Sequence, residues 1–123
     1  MPIYMKLEAL DANSNRDTFY DEWIELQSFS PGPDLGNCQR TADSMSPQFL
    51  RWSAQGRTNW TKDRVDNGIT VDLNKSDGVR GWSMRFVFKD AVITNYSMSN
   101  QQTAKPSESF TIKGQVMVGY LQL

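Results

Sequence analysis

The chain has 123 residues and a formal net charge of −1, from thirteen basic and fourteen acidic side chains. At 38% hydrophobic it holds enough apolar material for one core, and no apolar run approaches the ~20 residues of a spanning helix, so membrane insertion is not expected. The charge balance argues against a nucleic-acid partner, the absence of histidine removes the commonest general base and the usual triads, and the lone Cys38 excludes an internal disulfide.

The length suits one domain over residues 1–123. The opening "MPIYMKLEAL" has no basic region ahead of an apolar stretch, so it does not read as a secretory signal. A single cysteine fits a chain folded in a reducing cytoplasm.

Period-two alternation starts at once. In "IYMKLEAL", Ile3, Met5 and Leu7 share one face, and Tyr4, Lys6 and Glu8 the other. The segment "DANSNRDTFYDE" then places Asp11, Asn13 and Asn15 at alternate positions, with Glu22 closing the span. That is close to the ligand spacing of a helix–loop–helix calcium site. Such a loop needs glycine at its sixth position, where this chain has Arg16, and helices on both sides, where this chain has strand patterns. The segment reads as a solvated loop without a metal site. Next, "WIELQSF" sets Ile24 and Leu26 against Glu25 and Gln27, and the proline- and glycine-rich "SPGPDLG" makes a turn from Ser30 to Gly36. Cys38 follows. With no histidine to activate it, it reads as a small loop or buried residue and not a nucleophile.

"SPQFLRWSAQG" breaks the strand rhythm. Its spacing predicts a helix over about 46–56. Ser46 is the expected N-cap, accepting a hydrogen bond from the N–H of Gln48 or Phe49. Pro47 would take the first helical position, and Gly56 would end the helix. "RTNWTKDR" surrounds Trp60 with Arg57, Lys62 and Arg64, but Asp63 and Asp66 dilute the charge. It reads as a mobile or interface loop and not as a nucleic-acid site.

The remaining runs are strands. Ile69, Val71 and Leu73 alternate in "ITVDL", and "SDGVRG" joins this run to "WSMRFVFK", where Trp82, Met84, Phe86 and Phe88 alternate. "AVITNYSM" continues the pattern. Asn100 to Ser107 is expected to be a polar loop. In the final run, Phe110, Ile112, Val116, Val118 and Tyr120 fall on one face, and Gly114 and Gly119 permit a bulge or bend. The expected order is strand, strand, helix, then several strands. The fold class is mainly β: a small β-barrel or tight β-sandwich of mostly antiparallel strands with one short helix. No catalytic residue, metal site or cofactor is expected.

Three blocks in this order resemble the Hcp family, the haemolysin-coregulated tube proteins of bacterial type VI secretion. They are "IYMKLEALDANSNRDTFYDEWIELQSFSPG", "DSMSPQFLRWSAQG" with its helix-start motif Asp43, Ser46 and Pro47, and "FKDAVITNYSMS" followed by "ESFTIKGQVMVGYL". Two departures stand out. The family's longer glycine-rich excursion and extra strand before the helix are replaced by "PGPDLGNCQRTA" alone, and "RTNWTKDRVDN" is longer than the family pattern.

The resemblance implies a structural role without catalysis. The subunit would form a homo-oligomeric ring, a hexamer, that stacks into the inner tube of a contractile injection apparatus. Sheath, spike and effector proteins would be its partners. It would reside in the bacterial cytoplasm before firing and be secreted with the apparatus, without a signal peptide. Candidate subunit-interface positions are Pro31, Gly32, Arg57, Trp60, Arg64 and Lys105. Two other readings stand beside this one. One is a β-sandwich that binds carbohydrate through its tryptophans. The other is a protein of the same fold that stays monomeric because its inter-subunit excursion is short.

Overall fold

The structure is a computed structural model that describes residues 2–9, 15–16, 23–55, 61–62, 67–75 and 81–120. In chain order the elements are β1 (Ile3–Ala9), β2 (Asn15–Arg16), β3 (Ile24–Leu26), β4 (Ser28–Pro31), β5 (Leu35–Thr41), α1 (Ser46–Gln55), β6 (Thr61–Lys62), β7 (Asn67–Leu73), β8 (Met84–Gln101) and β9 (Ala104–Tyr120). The chain is mainly β with one helix among the described residues, as its alternating pattern predicts.

Seven strands form one antiparallel sheet in the order β3-β1-β7-β8-β9-β5-β4. Its two outermost members, β3 and β4, are one stretch of chain interrupted only by Gln27. The Gln27 N–H donates to the Gln39 carbonyl at 2.8 Å. The sheet therefore returns on itself as a barrel, which satisfies edges that an open sheet would leave unpaired. The short pair β2–β6 lies apart from it.

Register explains the core. Met5 pairs with Ile24 and Val71, Leu7 with Ile69, Ile69 with Phe88, and Val71 with Phe86. Ile93 pairs with Ile112, and Cys38 with Phe110. All of these point inward and are buried. Full burial of each large apolar side chain contributes roughly 1.5–3 kcal/mol. Gly36 sits inward beside them. A Cβ there would stand 2.5 Å from Phe29 Cε1 and 3.0 Å from Phe88 Cζ, so glycine makes room for the edge-to-face contact of those two rings.

Strand β8, eighteen residues long, keeps one face inward as far as Tyr96 by slipping phase twice, and its pairing with β9 shifts a third time between Ser99 and Gln101. Asp90 and Ala91 oppose Gly114 alone, and Asn95 with Tyr96 opposes Phe110 alone. At each bulge a short polar residue takes the left-handed conformation, Asp90 at φ 53° and Asn95 at φ 54°. The inward series then runs Phe86, Phe88, Ala91, Ile93, where strict alternation would have turned Ala91 and Ile93 outward. The bulge near Gly114 matches expectation. Its physical reason is close approach, because a Cβ on Gly114 would lie 2.7 Å from the Lys89 carbonyl oxygen.

Three expectations need correction. The segment Pro31 to Ala42 is not a bare turn before the helix. It contains the whole of β5, joined to β4 by a tight turn in which the Gly32 N–H donates to the Leu35 carbonyl at 2.7 Å. Asn100 to Ser107 is not a loop, because β8 and β9 continue as a ribbon to the turn at Gln102 and Thr103. Val118 is 57% exposed and not core. Strand β5 begins at Leu35 opposite Lys113, so among the described residues β9 beyond Gly114 has a strand on one side only.

Candidate assembly surfaces

The helix start is built by Asp43, Ser46 and Pro47, but not in the expected way. The helix begins at Ser46, and the Met45 carbonyl accepts from Phe49 N–H at 3.3 Å, so the cap falls one residue earlier. Asp43 Oδ1 accepts from Met45 N–H at 2.9 Å, and the Asp43 carbonyl accepts from Ser46 N–H at 3.1 Å. Pro47 has no N–H to satisfy, and Gln48 N–H reaches the Met45 carbonyl at 2.9 Å. The orphan donors of the first turn are thereby all accounted for. Ser46 Oγ accepts from Asp43 N–H at 3.0 Å, in place of the expected bond from Gln48 or Phe49. Gly56 lies outside the described residues.

Behind the cap is a buried polar knot. Arg40 on β5 and Glu108 on β9 are register partners inside the barrel, and Arg40 Nη1 donates to Glu108 Oε1. Arg40 Nη2 donates to Asp43 Oδ2 at 2.5 Å, and the guanidinium lies 5.0 Å from the Phe49 ring centroid. The Tyr96 hydroxyl donates to Glu108 Oε2. Burial pushes the Tyr96 phenol up to about 12, reinforced by the bond to Glu108 and its charge. Burial alone would raise the Asp43 carboxyl, but the bonds from Arg40 and the Met45 N–H, with the Arg40 charge, bring it below the usual range. Phe49 stacks on Phe110 at 4.8 Å, and Tyr96 N–H donates to Ser53 Oγ at 3.3 Å. The knot therefore fixes α1 against β8. It holds structure, and Arg40 and Asp43 also line an open pocket together with Trp23, Glu25, Gln27 and Met45.

The described tryptophans, Trp23, Trp52 and Trp82, do not form a common platform. Trp23 is half-buried beside Lys75, whose ammonium lies 3.8 Å from the ring centroid. Lys75 is itself buried and donates to the fully buried Asp72 at 2.9 Å, which also accepts from Arg85 Nε at 2.6 Å. Trp52 is buried on α1, edge-on to Phe49, and Trp82 is half-buried beneath the Arg85 guanidinium. Trp60 lies outside the described residues, as do Arg57 and Arg64. The calcium-like segment is also outside them, except Asn15 and Arg16, which pair with Lys62 and Thr61. Cys38 is buried on the inner face of β5, and burial pushes its thiol well up, which leaves it inert.

Pro31 and Lys105 are exposed and Gly32 is half-buried. Pro31 and Gly32 stand at the β4–β5 turn, and Lys105 lies near the tip of the β8–β9 ribbon. Between them runs a feature not anticipated from the sequence. On the outer face, Thr94, Thr111, Asn37 and Ser30 are successive register partners across β8, β9, β5 and β4. Ser97, Ser109, Gln39 and Ser28 form the next row. Ser99, Ser107 and Thr41 form a third, which Gln27 joins because its side-chain Nε2 donates a hydrogen bond to Thr41 Oγ1. Every member is an uncharged hydroxyl or amide. Many bond to each other: Thr111 donates to Asn37 at 2.9 Å, Ser28 to Gln39 at 3.1 Å, and the Ser97 and Ser109 hydroxyls are 2.8 Å apart. The signal lay in "SFS", "NCQRT" and "SFT", alternating polar residues whose alignment only register reveals.

A second surface is apolar. Met117 and Val118 are 54% and 57% exposed on β9, where no described strand pairs with its outer edge. Leu50 on α1 is also exposed.

No protein-family model matches the sequence, and no curated protein matches it. Solved structures do match. Hcp2 from Salmonella typhimurium shares 18% identity, covers 100% of this chain and 88% of its own, and gives a TM-score of 0.69. A type six secretion system protein gives 0.70 at 16% identity, over 97% of this chain and 83% of its own. The sheath–tube complex of PVC, an extracellular contractile injection system, in its extended state, gives 0.55 at 13% identity, over 97% and 88%. At these identities the likeness establishes architecture, and it runs from one end of the chain to the other. This chain has the fold of the Hcp proteins of type VI secretion systems.

Proposed function

We propose that this chain is a ring-forming subunit of the inner tube of a contractile injection apparatus of the type VI kind. The observation that carries the reading is the end-to-end match to Hcp structures, with little of the chain left over for another activity. The role is mechanical and not catalytic. Subunits associate head to tail, each offering one flank to a different flank of its neighbour, until the rotation closes a hexamer. Rings stack into a tube that a sheath drives outward, with spike and effector proteins as further partners. The protein waits in the bacterial cytoplasm and leaves with the apparatus.

The unpaired edge of β9 supports this reading. An open strand edge is a template for a neighbour, and exposed Met117 and Val118 supply apolar contact beside it. A stable flank buries roughly 1,200–2,000 Å² in total. Pro31, Gly32 and Lys105, at the ends of the β4–β5 turn and the β8–β9 ribbon, are proposed contributors, with Arg57, Trp60 and Arg64 in the long segment after the helix.

Sedimentation velocity tests the proposal. Wild-type protein is expected to sediment as a ring, and Val118→Glu as a monomer with an unchanged melting temperature. Wild type that stays monomeric at every concentration would leave the fold without the function.

A further inference from the structure

The barrel seam closes along only part of its length. The stretch that holds β3 and β4 bends at Gln27, so β4 pairs with β5 on one side and β3 pairs with β1 on the other. Beyond the bond from Gln27 N–H to the Gln39 carbonyl, no ladder joins β3 to β5 among the described residues. The two edges part around an open cavity of about 320 Å³, whose lining includes Ile24, Glu25, Thr41, Asp43 and Met45. We propose that this cleft is a docking site for an extended segment of a partner protein, alternating apolar, basic, apolar, which adds as a strand between β3 and β5. The inference concerns the single subunit and stands apart from the tube reading.

The backbone supplies the first argument. In an antiparallel ladder the N–H and carbonyl of one residue face the same neighbour, and successive residues alternate. On β5, the Asp34 carbonyl accepts from Gly114 N–H and Ala42 N–H donates to the Pro106 carbonyl, both toward β9. The Leu35 carbonyl accepts from Gly32 N–H on the other side. Thr41 therefore turns its N–H and carbonyl away from β9, into the cleft. On the facing edge, Gln27 N–H points toward β5, and Glu25, two residues earlier, presents its own groups the same way. The ladder of β1 agrees. Ser83 N–H donates to the Leu73 carbonyl, which sets Asp72 toward β1, Tyr4 toward β7, and Ile3 and Met5 toward β3, leaving Glu25 to face outward. Two unpaired edges in one cleft suit strand addition, the mode by which a sheet edge takes an extended peptide.

The side chains choose the sequence. Ile24 is buried and Met45 packs against the core, so the floor of the cleft is apolar. Glu25 is exposed, and the Asp43 side chain is 52% exposed. Arg40, the cation in the wall, is already engaged by Glu108 and Asp43. The rim is therefore acidic. A segment residue level with Glu25 points its side chain outward beside it, where lysine or arginine makes the opposite-charge pair across strands. Its two neighbours point inward onto Ile24 and Met45. Three residues of strand span about 10 Å, in keeping with a cavity at the small end of the roughly 300–1,000 Å³ of ligand pockets.

The probe is a fluorescein-labelled peptide, threonine-valine-lysine-valine-threonine, beside the same peptide with glutamate in place of lysine. Binding is read by fluorescence anisotropy, and hydrogen exchange is followed at the Glu25 and Thr41 amides. The lysine peptide is expected to bind saturably and to slow exchange at both amides, with the glutamate peptide severalfold weaker. Glu25→Lys, at an exposed position, is expected to reverse that order with an unchanged melting temperature. No saturable binding up to the solubility of the peptide, or protection at other amides only, would overturn the inference. So would a Glu25→Lys variant that ranks the peptides as wild type does. Amides of Glu25 and Thr41 that are protected without peptide, and more so as protein concentration rises, would make a second copy the occupant and overturn it as well. Loss of rings in a sedimentation run would count against the tube reading alone.

Discussion

Ser46 is small, buried and held from two sides. Its hydroxyl accepts from Asp43 N–H and meets the Tyr96 hydroxyl. Ser46→Ala removes the acceptor of the part-buried Asp43 N–H and should lower stability by about 1 kcal/mol in urea titrations. A larger effect belongs to Glu108. Glu108→Gln removes the charge that Arg40 faces inside the barrel, and breaking a buried pair from one side costs about 3–5 kcal/mol. Asp43 predicts a pH dependence. Its carboxyl is held below the usual range, so its contribution is present above about pH 4, the ordinary value. It is lost as the pH falls through the depressed value. Asp43→Asn should therefore be less stable than wild type at neutral pH, with the gap between their denaturation midpoints closing in acid.

At the scale of elements, the strands with apolar alternation were legible. Met5 and Leu7, Ile69 and Val71, and Phe86 and Phe88 face inward as their spacing requires. The helix was legible too, because a proline start and the Phe49–Trp52 spacing leave few alternatives. Strand β5 was not. Its inward residues are Gly36, Cys38 and Arg40, and a glycine and an arginine do not announce a buried face. Arg40 is buried only because Glu108, distant in sequence, meets it. The ribbon tip was hidden for the opposite reason. Asn100 to Ser107 has loop composition, and its extended form comes from continuing a pairing begun in the core. The hydroxyl rows were invisible because each strand supplies only two or three of their members. Gly114 tests the bulge that keeps β8 in phase. Gly114→Ala drives a Cβ against the Lys89 carbonyl, which is backbone and cannot turn aside, so a loss of about 1–3 kcal/mol is expected.

On the scale of the whole molecule, the barrel separates its surfaces by chemistry. Exposed Met117 and Val118 lie on β9 past Gly114, and three rows of uncharged hydroxyl and amide side chains cross β8, β9, β5 and β4, bordered by the charged Lys113 and Lys105. The resemblance in sequence implied the fold, and the end-to-end structural match shows it; ring assembly is the proposal built on that fold. Negative-stain electron microscopy of the wild-type protein at high concentration tests the central claim most directly. The account predicts end-on views of closed rings with a central hole, some of them stacked. A field of isolated small particles with no rings at any concentration would contradict it.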